Sequence, residues 1–254
     1  MLLDPTIINY QIEIEYDGTD FSGWQIQTPK RTIQGELQKA LAVIYKQEIA
    51  VIGSGRTDSG VHAYAHAACF HAPNIIPFEN IIKALNAHLP ADIVVKTCKE
   101  RPHDFHPRFD AKYKIYRYRF LTGTQRVAID RRFIYHFKGK ITPLKIFDAC
   151  KTLEGTHDFK AFSCLRGDET GQENTTRTIY EIRVENPREN LYDLYFKGNG
   201  FLYKMVRMLT GSILHYASHE SNPRDLTHLL TQGERSSAGP AAPSCGLTLM
   251  EVGY

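Results

Sequence analysis

Residues 10–16 read Tyr-Gln-Ile-Glu-Ile-Glu-Tyr, and this stretch decides the fold class. Apolar and polar side chains alternate along it, which is the period of a β-strand with one buried face. Asp17-Gly18 follows and supplies a turn-forming pair. The sequence therefore predicts a β-sheet that starts close to the N-terminus.

Helices alternate with further strands downstream. Thr32 is predicted to cap a helix whose apolar side chains recur at helical spacing: Ile33, Leu37, Leu41 and Ile44. Other helices are predicted at 78–89, from Thr142 with Pro143 in its first turn, at 201–215, and after Asn222 between Pro223 and Gly233. Other strands are predicted at 49–52, 66–72, 92–98, 111–121, 175–185 and 191–197.

The order of these elements predicts an α+β fold. Strands joined by hairpin-like turns, such as Asn186 to Asn190, are typical of antiparallel sheets. We expect two similar halves, residues 1–105 and 106–254, each an antiparallel sheet flanked by helices. No low-complexity linker separates them.

Composition indicates an ordinary globular chain. It has 254 residues, of which 42% are hydrophobic and 23% charged. The N-terminal Met-Leu-Leu-Asp-Pro lacks a signal-peptide core and no apolar stretch approaches a membrane span, so a cytoplasmic protein is predicted. Five widely spaced cysteines favour reduced thiols over a disulfide framework.

A cluster of potential metal ligands, His62, His66, Cys69 and His71, falls within ten positions. If residues 66–72 form a strand, alternation sends Cys69 and His71 to one face and His66 to the other. Such side chains do not converge on one ion without distortion. The sequence therefore predicts no metal site.

The feature that indicates an enzyme is a glycine-containing stretch at 53–63, Gly-Ser-Gly-Arg-Thr-Asp-Ser-Gly-Val-His-Ala. Its glycines permit sharp turns and close approach of another molecule to the backbone. Asp58 would lie at that approach. An ordinary aspartate, with a pKa of about 3.9, is an anion at pH 7 and can attack an electrophilic carbon without an activating base. In a water-poor pocket it would need a permanent cation, either Arg56 or a distant arginine.

Other interpretations of this stretch are weaker. A dinucleotide-binding fingerprint needs a third glycine where Asp58 stands, and a phosphate-binding P-loop needs a Gly-Lys-Ser/Thr triplet that is absent. An isolated Asp-Ser-Gly is most often a surface turn. Only support from elsewhere in the chain favours chemistry at Asp58.

Charge is concentrated in one segment. The whole chain carries +3, but residues 101–140 hold eleven Lys/Arg against three Asp, a net charge of +8. Nine aromatic residues are interleaved with these cations. Cations follow phosphates and rings stack on exposed bases, so the segment is compatible with nucleic-acid binding. A solvated sheet face with its core rings behind it fits equally well.

A cation for Asp58 is available in the helix predicted at 201–215. Tyr203 and Arg207 lie four residues apart, off the main apolar stripe, and share a face. Arg207 is therefore a candidate partner for Asp58, although alone it would be read as a surface arginine.

Seven blocks, in order, make the chain resemble the TruA-type tRNA pseudouridine synthases over nearly its whole length. The blocks are Gly23-Trp24-Gln25-Ile26-Gln27 with Thr32-Ile33-Gln34-Gly35; Gly55 to Ala63; Asn86 with Leu89-Pro90; Phe105-His106-Pro107-Arg108-Phe109 with Tyr116-Arg117-Tyr118; Gly155 with His157-Asp158-Phe159; Gly200 to Arg207; and Ala242-Pro243 with Gly246-Leu247. Departures at Ser59, Pro107 and Cys245 remove no reactive group.

The resemblance implies isomerisation of uridine to pseudouridine at positions 38 to 40 in the anticodon stem-loop of tRNA, without metal or cofactor. A paired uracil must be flipped from the stack before it can react. By position, Asp58 resembles the catalytic carboxylate, Arg207 its ion-pair partner and Tyr116 the ring that stacks on the target base. Arg56 is assigned to phosphate or backbone near the flipped nucleotide. Asp58 would either attack the anomeric carbon or remove the 2′ proton, and the sequence leaves both routes open.

The resemblance also implies an architecture and an assembly. Two α+β halves would form a central cleft, and a homodimer would cradle one tRNA. Two other functions remain to be distinguished. A catalytically silent RNA-binding protein would bind tRNA without turnover, and a nucleoside-bond hydrolase would release free uracil.

Overall fold

The computed structural model describes residues 7–73, 76–164, 174–219, 224–232 and 238–254. Its fold is α+β, with mixed β-sheet flanked by helices, which confirms the predicted class. The α-helices in these residues are α1 (Ile33–Tyr45), α2 (Phe78–His88), α3 (Pro143–Leu153), α4 (Met205–Ser218) and α5 (Arg224–Gln232). The strands are β1 (Ile7–Tyr16), β2 (Val51–Gly53), β3 (His62–Pro73), β4 (Ile93–Arg101), β5 (Tyr113–Thr122), β6 (Tyr135–Phe137), β7 (Gly155–Asp158), β8 (Thr176–Arg188), β9 (Leu191–Gly198) and β10 (Leu247–Gly253).

The chain divides into two compact units. The first extends to Lys112 and also contains Leu249–Tyr254, and the second spans Tyr113–Thr248. From the sequence alone we expect halves that meet near residue 105, with residues 249–254 in the second half. Residues 249–254 contact the first unit through the pairing of β10 with β3. In addition, the Lys112 amide donates to the Gly253 carbonyl at 2.8 Å, and the Tyr254 hydroxyl donates to the Pro107 carbonyl at 2.8 Å.

In the first unit β1 lies between two partners. It pairs antiparallel with β3 and with β4, while β2 and β10 both pair with β3. The predicted alternation of β1 is confirmed, because Tyr10, Ile12 and Ile14 are fully buried while Glu13 and Glu15 are partly exposed.

Helix α1 begins where its capping residue predicts. The Thr32 hydroxyl accepts a hydrogen bond from the Gly35 amide at 3.3 Å, which satisfies one of the free amides of the first turn. Ile33, Leu37 and Leu41 are fully buried. Ile44, the fourth residue of the predicted stripe, is half-buried. The first three residues of that stripe therefore form the packed face of this helix.

In the second unit the antiparallel order is β7-β8-β9-β5. The β8–β9 hairpin turns at Asn190, which adopts a left-handed φ of 61°, and so confirms the turn predicted at 186–190. The expectation of a purely antiparallel sheet is wrong here. Strand β6 pairs parallel to β5, with Phe120 opposite Tyr135, because residues 123–134 bring the chain back to the level of Phe120 before β6 starts.

Helix α4 starts later than predicted and ends later. Lys204 adopts a left-handed φ of 61°, a conformation that a helix cannot continue through, so the helix starts at Met205. Its predicted stripe is buried: Leu202, Met205, Val206, Leu209 and Ile213. Helix α5 is the one predicted after Asn222, while Asn222, Pro223 and Gly233 lie outside the described residues.

All five cysteines are free, as predicted. Burial raises the pKa of the Cys69, Cys98 and Cys150 thiols to about 12, which disfavours the nucleophilic thiolate form at neutral pH. In the described ranges, none of the helices combines the length and the apolar character that crossing a membrane requires.

Candidate active-site elements

The loop that carries Asp58 connects β2 to β3 in the first unit. Asp58 is half-buried and Arg56 is exposed. The Val61 amide donates to the Asp58 carbonyl at 3.1 Å, and Gly60 takes a φ of 77°, so the residues after Asp58 form a tight turn that needs glycine. The expected sharp turn is therefore present, and it leaves the Asp58 side chain partly accessible.

A second segment, residues 21–24, packs against this loop. The Trp24 amide donates to the Thr57 carbonyl at 3.0 Å, and the Ser59 hydroxyl donates to the Phe21 carbonyl at 3.1 Å. Gly23 has a φ of 88°, and a Cβ on it would lie 2.5 Å from the Thr57 carbonyl oxygen. This glycine allows the two backbones to meet, so residues 21–24 fix the path of the Asp58 loop.

Buried polar side chains lie behind the same loop. The Tyr16 hydroxyl is 2.8 Å from Thr57 Oγ1 and 2.9 Å from His66 Nδ1. The Trp24 ring stacks on His66 with centroids 4.0 Å apart and planes 10° apart. Gly53 provides the space for that indole, because a Cβ there would lie 2.6 Å from the Trp24 ring. We call Tyr16, Trp24, Thr57 and His66 the support cluster.

The histidines of β3 are engaged in protein contacts. His62 is buried, and its Nδ1 accepts a hydrogen bond from the Gly18 amide at 3.0 Å. That nitrogen also lies 3.1 Å from an Asp17 carboxylate oxygen, but an atom that accepts the Gly18 proton carries no proton to donate. In the part of the chain that the structure describes, no group of three or more His, Cys, Asp or Glu residues is arranged to hold a metal ion.

Arg207 lies in the first turn of α4, in the second unit. Its Nε donates to the Ala242 carbonyl at 2.7 Å, and the Ala242 amide donates to the Arg207 carbonyl at 2.9 Å. A Cβ on Gly211 would overlap the Pro240 carbonyl oxygen, so residues 240–242 run directly against the helix. The Arg207 side chain is half-buried and fixed at its Nε.

The positive charge of Arg207 affects the pKa of the Tyr118 hydroxyl. Burial raises the pKa of Tyr118 well above its usual range, and the Arg207 cation offsets part of that rise. The Tyr118 hydroxyl donates to the Pro243 carbonyl at 2.7 Å. Residues 242–243 are therefore bonded to β5 and to α4.

Tyr116 lies on β5 opposite Phe196. Its half-buried ring meets Phe201 edge to face, with centroids 5.3 Å apart and planes at 88°. The contact orients the Tyr116 ring, which suits an aromatic platform for a base.

The cations of residues 101–140, the basic segment, are distributed over both units. Some of them contact other side chains of the fold and others are exposed. Arg101, Arg108 and Lys112 belong to the first unit and the other eight cations to the second. Arg119 forms a bidentate pair with Asp193, at 2.7 and 2.6 Å, and Asp193 is only 1% exposed. Arg101 donates to Gln11 Oε1 at 2.6 Å and covers the Phe105 ring. Part of the local charge of +8 therefore holds the fold.

Other cations remain on the surface of the second unit. Lys138 and Lys140 are exposed and border a groove of about 580 Å³. Its wall includes the rings of Tyr135 and Phe137 and the side chain of His219. The described residues that line it include none with an acidic side chain, so this groove combines rings with positive charge.

Sequence reasoning missed the support cluster and the partner of Arg119. The sequence alone places Tyr16 on the core face of β1 and Trp24 in one of the seven blocks, and links neither residue to Asp58. The available signal was weak: the single tryptophan of the chain stands beside a glycine and upstream of the Asp58 stretch. Asp193 lies on a strand predicted without any charged partner for its carboxylate.

Known proteins match this chain over most of its length. The family model described as tRNA pseudouridine synthase matches residues 12–110 and 149–254. tRNA pseudouridine synthase A of Anoxybacillus flavithermus is 44% identical over 242 residues, covering 95% of this chain and 96% of that protein. The corresponding proteins of Clostridium tetani (named tRNA pseudouridine synthase A 2) and Geobacillus kaustophilus are 40% and 41% identical, covering 97% and 95% of this chain and 98% and 92% of their own lengths.

A solved structure of a Cbf5-Nop10-Gar1 complex aligns with 91% of this chain and 69% of that chain, at 15% identity and a TM-score of 0.36, a similarity too weak to inform the fold. The family model and the near-full-length relatives are decisive: the chain belongs to the tRNA pseudouridine synthase A (TruA) family.

Proposed function

We propose that this protein isomerises uridine to pseudouridine at positions 38 to 40 of the anticodon stem-loop of tRNA, with Asp58 as the catalytic carboxylate. As a member of its family it is an intramolecular isomerase that acts on tRNA uridine. The observation that carries the assignment of Asp58 is its placement. It is a half-buried aspartate on a tight turn. The neighbours of Asp58 in this turn are hydrogen-bonded to residues 21–24 and to the support cluster.

The chemistry needs a single anion. Asp58 either attacks C1′ of the ribose or removes the 2′ proton, and in both routes the bond from C1′ to N1 of uracil breaks. The detached uracil turns and rejoins C1′ through C5. This step displaces the Asp58 carboxylate from C1′ in the first route, and in the second route Asp58 returns the proton to C2′. The C5 proton is lost while N1 gains one. Product and substrate are isomers, so the balanced reaction consumes no external oxidant, reductant or group donor.

Three further residues have proposed roles. Arg207 is the guanidinium proposed to form an ion pair with the Asp58 carboxylate. Tyr116 stacks on the flipped uracil through a ring that Phe201 already orients. Arg56, which is exposed beside Asp58, contacts phosphate or backbone near that nucleotide.

Release of tritium from tRNA transcripts labelled at uridine C5 tests the role of Asp58. We expect Asp58→Asn and Asp58→Ala to abolish release, because neither side chain can act as nucleophile or base, while the affinity for tRNA changes little. Asp148→Asn is a matched control, since Asp148 is exposed on α3 and the substitution removes the same charge. Full turnover by Asp58→Asn would rule out the role.

The same assay separates the alternative functions. Free uracil among the products would identify a hydrolase. If the wild-type protein binds tRNA but releases no tritium, it is a catalytically silent RNA-binding protein. Mapping of pseudouridine in the treated tRNA would show whether positions 38 to 40 are the ones modified.

We extend the proposal to architecture, assembly and location. The family resemblance supports two α+β halves around a central cleft, a homodimer that cradles the tRNA, and a cytoplasmic protein. A dimer would bring two basic segments to one polyanion although each chain is nearly neutral. Sedimentation of the protein with and without tRNA tests the assembly, and a mass of one chain at micromolar concentration would contradict it.

A further inference from the structure

The support cluster connects the residue before Asp58 to the core of the first unit. Thr57 precedes Asp58, and its hydroxyl contacts the Tyr16 hydroxyl, which in turn contacts His66 Nδ1. Tyr16 and His66 are almost completely buried, at 3% and 0% exposure, and Thr57 is buried as well. Neither Tyr16 nor His66 is therefore available to touch a bound nucleotide.

Thr57 is fixed on both its side chain and its backbone. Tyr16 holds the hydroxyl, and the Trp24 amide holds the carbonyl at 3.0 Å. The Trp24 ring also stacks on His66. The hydrogen bonds of the Thr57 hydroxyl and of the Thr57 carbonyl therefore both lead to this stacked pair of rings. This arrangement leaves Thr57 little freedom to move, and Asp58 follows it in the chain.

The proton count of the cluster is consistent with an ordered chain of hydrogen bonds. The Tyr16 hydroxyl has one proton, so it donates to one neighbour and accepts from the other. If it donates to His66 Nδ1, Thr57 donates to it, and if it donates to Thr57, His66 donates to it. In both arrangements, removal of the Tyr16 hydroxyl breaks the connection between His66 and the Asp58 loop.

We propose that Tyr16, Thr57 and His66 are positioning residues that hold the Asp58 carboxylate at the distance and angle the reaction needs. The inference rests on the proposed role of Asp58. A displacement of a reacting group by about 1 Å can slow a reaction on the order of 100-fold. A buried network behind the reacting residue is the usual means of preventing such movement.

Single-turnover kinetics on tRNA test the inference. Tyr16→Phe removes the hydroxyl and keeps the ring, and Thr57→Val removes the hydroxyl and keeps the shape. We expect each to slow the chemical step about 10-fold or more with little change in the affinity for tRNA. Thr57→Ser keeps the hydroxyl and should retain most of the rate. The double variant Tyr16→Phe/Thr57→Val should be about as slow as either single one, since all three lack the same contact.

Tyr254→Phe is the matched control. It also removes a hydroxyl hydrogen bond in the first unit, to the Pro107 carbonyl, but that bond is not part of the Asp58 loop. It should lower thermal stability about as much as Tyr16→Phe while the rate stays at the starting value. Wild-type rates for folded Tyr16→Phe and Thr57→Val would overturn the inference, as would an equal slowing by Tyr254→Phe.

Asp58→Asn, measured in parallel, separates this inference from the proposed function. If Asp58→Asn is inactive and Tyr16→Phe is fully active, only the positioning role fails. If Asp58→Asn is active, the proposed function itself fails.

Discussion

Two aspartates show how burial and partners decide the task of a residue. Asp193 is almost fully buried and accepts two hydrogen bonds from Arg119, so both of its oxygens are committed to the fold. Asp58 is half-buried on a tight turn, with its backbone fixed and its side chain partly accessible. A fully buried carboxylate stabilises structure, whereas a partly accessible one on a fixed turn can meet a substrate.

Arg207 provides the prediction at this scale. Arg207→Ala should lower kcat/KM for tRNA by about 100-fold or more, because the proposed role requires a permanent cation next to a reacting anion. Arg207→Lys should lose less, since it keeps the charge but gives up the Nε bond to the Ala242 carbonyl. Steady-state tritium release measures both variants.

A surface arginine serves as the control for Arg207. Arg183 is exposed, pairs with Glu185 at 2.7 Å and covers the Tyr195 ring, and Arg183→Ala removes the same charge as Arg207→Ala. It should leave kcat/KM unchanged within about twofold. Similar losses in Arg183→Ala and Arg207→Ala would show that only net charge matters.

At the level of elements, the pair between Arg119 and Asp193 ties β5 to β9. The two residues face each other in the strand register, and the bidentate contact has lengths of 2.7 and 2.6 Å. Removing one partner of such a pair leaves a buried charge unsatisfied, which costs more than the pair contributes.

We expect Arg119→Met to destabilise the protein by about 2–4 kcal/mol, with the lower part of the range favoured by the partial exposure of Arg119. The double variant Arg119→Met/Asp193→Leu should recover much of the loss because it buries no charge. Thermal and denaturant unfolding of the three proteins measure this. A double variant that is less stable than Arg119→Met would contradict this expectation. It would show that the Arg119–Asp193 pair stabilises the protein more than the apolar side chains that replace it.

Local features were predictable from the sequence and distant pairings were not. The alternation of β1 and the apolar stripe of α4 depend on neighbouring residues, and so does the turn around Asp58. The contact of Tyr16 with His66 joins residues 50 apart, and that of Arg119 with Asp193 joins residues 74 apart. Such contacts depend on which strands pair and in which register. The alternation within one strand indicates its buried face but does not identify its partner strand. The parallel β6 was missed for the same reason.

For the molecule as a whole, the distribution of charge matters more than its total. The net charge of +3 is modest, yet the groove of the second unit has two exposed lysines and two rings and includes no acidic side chain among its described lining residues. A polyanion is attracted by such local charge, and its affinity then depends strongly on salt.

Lys138→Ala/Lys140→Ala should therefore weaken tRNA binding at physiological salt and reduce the slope of log affinity against log salt by up to about 2. The rate at saturating tRNA should not change, since neither lysine is assigned to the chemistry. Filter binding over a series of salt concentrations measures the slope. Lys39→Ala/Lys46→Ala, at two exposed positions of the first unit, is the charge-matched control. An unchanged slope in the groove variant would exclude the groove from the tRNA contact.

The inclusion of Leu249–Tyr254 in the first unit has a consequence for biosynthesis. The sheet behind Asp58 contains strand β10, which pairs with β3 and follows it in the sequence only after the residues of the second unit. Strand β10 can therefore add to β3 only after the ribosome has synthesised those intervening residues. The sheet behind Asp58 is thus completed later than the strands that surround it in the sequence.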